Sequence, residues 1–350
     1  MRNFCRKIHN PCFLSIFVFC FCWLDLRGEI KPIAPPALKK GDAIGVIAPA
    51  SSPSVDLTKI LRDLQPLRQK GYRIKVAPNV THRYGYLAGG DEERAKALMD
   101  MWLDPEVKAI WCYRGGYGCT RILDRLDYEA IKKHPKVLIG MSDITALHAA
   151  IQKETGLITF LGPHVNDIFG ENKSKDAEYN TLQLWKMIAP VSGVKDGLCF
   201  SYPQSFPEKA AALRPGKCRG RLIGGNLCLL STLIGSKWET NTEGCILVLE
   251  DVNEEPYRVD EMLGQLKYAG LLDKPAGVIL CSWTGCRPKK PDKSLTLHQV
   301  FDDYFSQAPY PVLLGFPSGH ISGQTTLPLN ALAELDAAKK TLTLLEDPVH

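Results

Sequence analysis

The chain has 350 residues, 45% of them hydrophobic and 23% charged, with a formal charge of +5. A single core rarely grows to that length, so two domains are expected, and the balance of apolar and charged residues is that of an ordinary globular protein. The mild charge and the lack of any Arg-rich or aromatic-interleaved segment speak against a nucleic-acid partner.

The first residues differ from the rest. Arg2, Arg6 and Lys7 precede the apolar run "CFLSIFVFCFCWL" (12 to 24), a basic start with a short apolar core of the kind an export signal carries. The run is too short to span a bilayer comfortably, and no small-x-small cleavage site follows it. Residues 1–34 are therefore read as a signal-like or membrane-associated leader, the only part expected to touch a membrane. Twelve cysteines pull the other way: they show no paired metal spacing and no disulfide density, and Cys112, Cys245 and Cys281 sit in strand-like runs as small apolar residues. Free thiols suit a reducing cytoplasm, whereas the leader suits export to a periplasm or attachment to an inner membrane.

From residue 39 strands and helices alternate. "DAIGVIAPA" (42 to 50) is a buried strand and turn, and "DLTKILRDLQPLRQKG" (56 to 71) a helix weakened by Pro66. "YRIKVAP" (72 to 78) is a strand, and "GGDEERAKALMDMWLD" (89 to 104) a helix with acids at its start. "VKAIWCY" (107 to 113) is a third strand, "CTRILDRLDYEAIKKH" a helical stretch and "KVLIG" a fourth strand. Such alternation argues for a parallel sheet covered on both faces, with ligands beyond the carboxyl ends of its strands.

A helix, "DAEYNTLQLWKMI", then leads into the Pro-, Lys- and Ser-rich "SYPQSFPEKAAALRPGKC". This divides the chain into an N-terminal α/β domain (35–170), a linker region (171–217) and a C-terminal domain (218–345). The last holds the strand "GCILVLEDV", the helix "YRVDEMLGQLKYAGLL", the strand "AGVILCSWTG", the helix "LHQVFDDYFSQ" and an edge strand, "TLTLLE".

Four stretches could carry chemistry. Gly140-Met141-Ser142-Asp143 joins a strand directly to a helix, the context of a nucleophile elbow, although Ile144 stands where the elbow's second glycine belongs. Ser142 or Asp143 could equally cap the helix. "YRGGYG" (113 to 118) ends a strand with Arg114 beside glycines that let a ligand approach the backbone, or is a plain turn. Arg121 breaks the spacing of a dinucleotide fingerprint there. Glu250 and Asp251 end an apolar strand, where a carboxylate needs a partner such as histidine. His320 lies in the Gly-rich "GFPSGHISGQTTLPL" (315 to 329). Its competitors are His164, also past a strand end, and His148, on the helix after Ser142 and packed or facing solvent. Residue types alone stop at an α/β enzyme with a serine that could be a nucleophile.

Taken in order, "PPALKKGDAIGVIAPASS", "YRGGYG", "LIGMSDITALH", "GRLIGGNLCLLSTLIGS", "ILVLEDVNEEPYRVDEMLGQLKYAGL", "GFPSGH" and "TLPLNA" resemble the LD-carboxypeptidase (muramoyltetrapeptide carboxypeptidase) family over about residues 35–345. The resemblance implies an N-terminal flavodoxin-like parallel-sheet domain, a smaller mixed α/β C-terminal domain, and an active site at their interface. It implies a serine peptidase with Ser142 as nucleophile, His320 as base and Glu250 as the group that orients it. The backbone N–H groups of Asp143 and of Gly115 or Gly116 would hold the oxyanion, and Arg114 is our candidate for the substrate carboxylate. The implied reaction releases terminal D-alanine from muramoyl tetrapeptides in cytoplasmic peptidoglycan recycling, with a small muropeptide as partner and neither metal nor cofactor. Family members are often homodimers. The alternatives are hydrolysis of a peptide–nucleotide antibiotic, as in another branch of the family, and a non-catalytic protein that binds small peptides or sugars.

Overall fold

The computed structural model describes residues 30–170, 173–189, 198–200 and 210–350. Residues 1–29 of the leader, and residues 171–172, 190–197 and 201–209 of the linker region, lie outside them.

The first five strands are β1 (Ala43–Ile47), β2 (Arg73–Val76), β3 (Val107–Cys112), β4 (Val137–Gly140) and β5 (Thr159–Leu161). They pair in parallel in the order β2-β1-β3-β4-β5, the flavodoxin-like order. All five residues of β1 are buried, because β1 lies inside a parallel sheet whose two faces are covered by helices. Those helices are α1 (Leu57–Asp63), α2 (Gln65–Gln69), α3 (Asp91–Leu103), α4 (Tyr128–Lys133), α5 (Thr145–Thr155), α6 (Val165–Phe169) and α7 (Ala177–Ile188). The expected helix at 56–71 is two, and Pro66 opens the second, since proline lacks an N–H and fits a first turn. The stretch expected to be helical after Gly118 also divides. A 3₁₀ segment covers Cys119–Arg125, and Asp127 caps α4 by accepting the Ala130 N–H.

The remaining strands are β6 (Leu198–Cys199), β7 (Ala211–Arg214), β8 (Lys217–Asn226), β9 (Ile246–Val252), β10 (Gly277–Thr284), β11 (Val312–Leu314), β12 (Leu327–Leu329), β13 (Leu332–Asp336) and β14 (Thr341–Leu344). All but β12 form a second, mixed sheet in the order β6-β14-β13-β8-β9-β10-β11-β7, parallel from β8 to β11 and antiparallel outside them. Three more helices, α8 (Leu227–Thr232), α9 (Pro256–Tyr268) and α10 (Leu297–Phe305), accompany it. The "TLTLLE" strand, expected at the edge, is β14 and is flanked by β6. β12 leaves this sheet and pairs antiparallel with β5, extending the first sheet to six strands.

Alternation along β9 decides how the two sheets meet. Ile246 and Val248 belong to the core that fills the first sheet, whereas Leu247 and Leu249 pack in a second cluster with Val259, Leu263 and Phe301 of α9 and α10. Residues two apart share a face, so Glu250 continues the row that points toward the first sheet, and Asp251 lies on the α8–α9 side.

Candidate active site

β4 ends at Gly140, and the chain turns through Met141 into a 3₁₀ turn at Ser142–Ile144 before α5 begins. Ser142 has φ of 59°, in the left-handed region that L residues avoid. A corner held in that conformation against its cost is what an elbow requires. Neither Ser142 nor Asp143 caps α5 with its side chain, so the capping explanation fails. Asp143 is instead buried, and its Oδ2 accepts the Cys119 N–H at 2.8 Å. That bond ties the serine corner to the far end of the glycine turn. Burial pushes the Asp143 carboxyl upward, more than its hydrogen bonds pull it down. Ile144, the departure from the usual elbow, packs where a Gly140 side chain would stand: a Cβ there would lie 2.8 Å from Ile144 Cγ1.

The glycine turn after β3 runs beside this corner. A Cβ on Gly115 would lie 3.0 Å from Ser142 Cβ, so the glycine gives the two segments their close approach. The Gly116 N–H belongs to the peptide unit that starts at Gly115. Gly116 itself faces Ser51, whose Oγ accepts the Tyr117 N–H at 3.0 Å. Arg114 is exposed on this rim, with Nη1 donating to Ser52 O at 3.2 Å. The turn rests on Arg94, a fully buried guanidinium on α3 that donates to Pro49 O and Gly118 O and pairs with Asp91. In the sequence Arg94 looks like one more helix residue; its one visible signal is its place beside the acids of a helix start.

Glu250 is fully buried and His320 half-buried, and Nδ1 of the histidine lies 2.6 Å from Oε2 of the glutamate. Burial alone would lower the His320 pKa, but the Glu250 charge and hydrogen bond outweigh it and raise the value above the usual 6.5. Gly319 makes the approach close. It has φ of 97°, and a Cβ there would stand 2.6 Å from Glu250 Oε2. No partner is found for His320 Nε2 among the described residues, which leaves that nitrogen available for proton transfer.

The loop bearing His320, between β11 and β12, is held from both sides. Ser282 Oγ on β10 donates to Ser318 O at 2.7 Å. From α7, buried Asn180 donates to Ser322 O at 2.8 Å and accepts the Gln324 N–H at 2.8 Å. A second bridge joins the sheets: the Asn226 N–H donates to Thr145 Oγ1, in the first turn of α5, at 3.0 Å. Asn226 Nδ2 also donates to Asp251 Oδ1 at 3.0 Å. Burial, then the neighbouring Glu250 charge, push Asp251 up to about 6. Asp251 thus fixes the end of β9, while Glu250 faces the histidine.

The competing histidines take other places. His148 is buried, with Nε2 donating to Gly140 O at 2.9 Å, and burial lowers its pKa to about 4. His164 lies behind Gly115, with Nε2 at 3.1 Å from Met141 O and Nδ1 at 3.0 Å from Asp167 Oδ2. Among the described residues, no group of His, Cys, Asp and Glu is arranged to hold a metal ion.

The comparisons with known proteins bear on this arrangement. Residues 44–162 match the LD-carboxypeptidase N-terminal domain and residues 219–335 the LD-carboxypeptidase C-terminal domain. A probable murein peptide carboxypeptidase of Bacillus subtilis is 41% identical over 310 residues, 89% of this chain and 93% of that protein. The crystal structure of muramoyltetrapeptide carboxypeptidase from Oxalobacter formigenes superposes with a TM-score of 0.73 at 28% identity, covering 86% of this chain and 97% of that one. The microcin C7 self-immunity protein MccF of Escherichia coli is 29% identical over 91% of this chain and 97% of its own length. A structure of MccF with glutamyl sulfamoyl guanosine gives a TM-score of 0.82 at 27% identity, over 91% of this chain and all of that one.

Proposed function

The chain belongs to the LD-carboxypeptidase family, and from that premise we propose a serine enzyme that releases the terminal D-alanine from muramoyl tetrapeptides. The observation that carries the mechanism is the 2.6 Å contact of His320 with buried Glu250, on the strand face that points toward the first sheet, whose β4 leads into the strained Ser142 corner. His320 Nε2 takes the Ser142 proton, and Glu250 holds the ring and balances its charge. Ser142 Oγ attacks the carbonyl of the scissile bond. The Asp143 and Gly116 N–H groups hold the oxygen that becomes negative. His320 then returns the proton to the leaving D-alanine amine, and water releases the acyl group by the same steps reversed.

Arg114, on the rim beside the glycine turn, takes the free carboxylate that distinguishes a chain end from a chain middle. The test pairs wild type with Ser142→Ala on a muramoyl tetrapeptide, followed by mass spectrometry for loss of one alanine. Loss with wild type alone supports the reading. Turnover by Ser142→Ala at near-normal rate sinks it.

A peptide–nucleotide substrate is the second reading, favoured by the higher TM-score with MccF. It predicts cleavage of an aminoacyl nucleotide conjugate at a higher kcat/KM than the tetrapeptide. No described helix is long and apolar enough to cross a membrane. We propose a cytoplasmic location, supported by the buried free thiols of Cys112, Cys119 and Cys286. Recovery in the membrane or periplasmic fraction would favour the leader as an export or anchoring signal.

A further inference from the structure

His164 has no part in the proton transfers above, yet it is buried against the nucleophile. A side chain on Gly115 would meet Ser142 Cβ at 3.0 Å and His164 Cε1 at 3.2 Å, so the serine corner and the imidazole flank the same glycine. His164 Nε2 lies 3.1 Å from the Met141 carbonyl O and 3.4 Å from the Met141 N. A carbonyl accepts and an N–H donates, so this nitrogen engages the backbone of Met141 whether or not it carries a proton.

The other side of the ring is fixed as well. Asp167 Oδ2 accepts the His164 backbone N–H at 3.0 Å and lies 3.0 Å from its Nδ1. Trp111 Nε1 donates to Pro163 O at 2.7 Å, anchoring the residue before it. Burial alone would raise the Asp167 pKa, but the His164 charge and hydrogen bonds hold it below the usual carboxylate value.

We propose that His164, locked by Asp167, is a positioning residue: its imidazole braces Met141 against Gly115 and sets the distance between Ser142 and the glycine-turn N–H groups. The inference rests on the acyl-transfer reading of Ser142. His164 is not a second base, because its Nε2 is spent on the backbone. The brace acts on the spacing of nucleophile and oxyanion donors, which matters most in the transition state, where a small misplacement costs rate rather than substrate binding.

The experiment measures kcat, KM and Tm for the full chain on a muramoyl tetrapeptide, together with the rate at which a serine-directed phosphonate labels Ser142. His164→Ala should lower kcat by about 30- to 100-fold with KM within about threefold, and slow labelling in step. His164→Gln, whose amide can still reach Met141, should recover kcat to within about fivefold of wild type. Asp167→Asn should lower kcat by about tenfold, and it decides the matter if His164→Ala does not fold.

The proposal is overturned if His164→Ala, or Asp167→Asn in its place, keeps kcat within about threefold of wild type. It is also overturned if folded His164→Gln is as slow as His164→Ala. Ser142→Ala, run in parallel, separates the two levels. An active Ser142→Ala removes the acyl-transfer reading and the brace with it. An inactive Ser142→Ala beside an unimpaired His164→Ala removes the brace alone.

Discussion

Glu250 raises the pKa of both His320 and Asp251, which favours the charged form of the histidine and the neutral form of the aspartate. For a base that must be neutral, a raised pKa moves the acid limb of kcat/KM to higher pH. Glu250→Gln removes the charge and leaves the burial, which favours the neutral ring. The limb should therefore shift below its wild-type position, toward or under about pH 6.5, while kcat falls by about 100-fold or more. A pH–rate profile of both proteins checks the sign, and a limb that stayed in place would separate Glu250 from His320. The same pair affects stability. Its contribution is full below the unfolded histidine value near 6.5 and is lost as pH rises through the higher folded value. Arg114 belongs to this scale too. Exposed and, among the described residues, hydrogen-bonded to a backbone carbonyl alone, it can be removed at little cost to folding, so Arg114→Ala should raise KM about tenfold or more with Tm nearly unchanged. An unchanged KM in steady-state kinetics would withdraw the carboxylate role.

The elements that position these residues differ in how plainly the sequence announces them. "AIGVI" is an unbroken apolar run and "VKAIWC" is interrupted only by exposed Lys108, because both faces of these strands are largely covered, and they could be read directly. β12 and β13 could not. The three residues of "LPL" hold a proline, and the strand exists because the edge of β5 accepts it. β8 hides for another reason. Gly224 and Gly225, at φ of 116° and 136°, look like a turn but sit inside a strand, where Val248 O and Thr145 Oγ1 leave no space for a side chain. Ser142, Glu250 and His320 were legible as motifs, whereas Arg94, Asn180 and Asn226 act through buried partners distant in sequence and carry no local pattern. Asn180 gives the sharpest element-scale prediction. Asn180→Ala orphans the Gln324 N–H and takes one of two donors from Ser322 O, which keeps Ser174 Oγ, so stability should fall by about 1–3 kcal/mol in denaturant titration. Because the loop those bonds hold carries His320, kcat should fall at least about tenfold. Normal kcat in a destabilised variant would show that the β10 side holds the loop sufficiently.

At the scale of the molecule, the two sheets are not independent. Leu222, Ile246, Val248 and Leu313 of the second sheet complete the core of the first, and β12 closes an edge of the first sheet with chain from beyond residue 320. Residues 30–170 expressed alone would expose that apolar face and the open edge of β5. We expect the fragment to associate on size-exclusion chromatography and to lack a cooperative thermal transition. A monomeric fragment with a sharp melt would mean that the first sheet carries its own stability.

The strap between β11 and β12 also sets an order of events during synthesis. The strained corner at Ser142 can form as soon as the first five strands, ending at Leu161, have emerged, but the proposed base, His320, arrives about 160 residues later. At about 5–20 residues per second, roughly 8 to 32 s of translation separate the two. During that interval the nascent chain displays a serine without the imidazole that would activate it. When β12 at last pairs with β5, the same movement carries His320 to Glu250. The hydrolase therefore stays silent on the ribosome until β12, the last strand to join the first sheet, has docked.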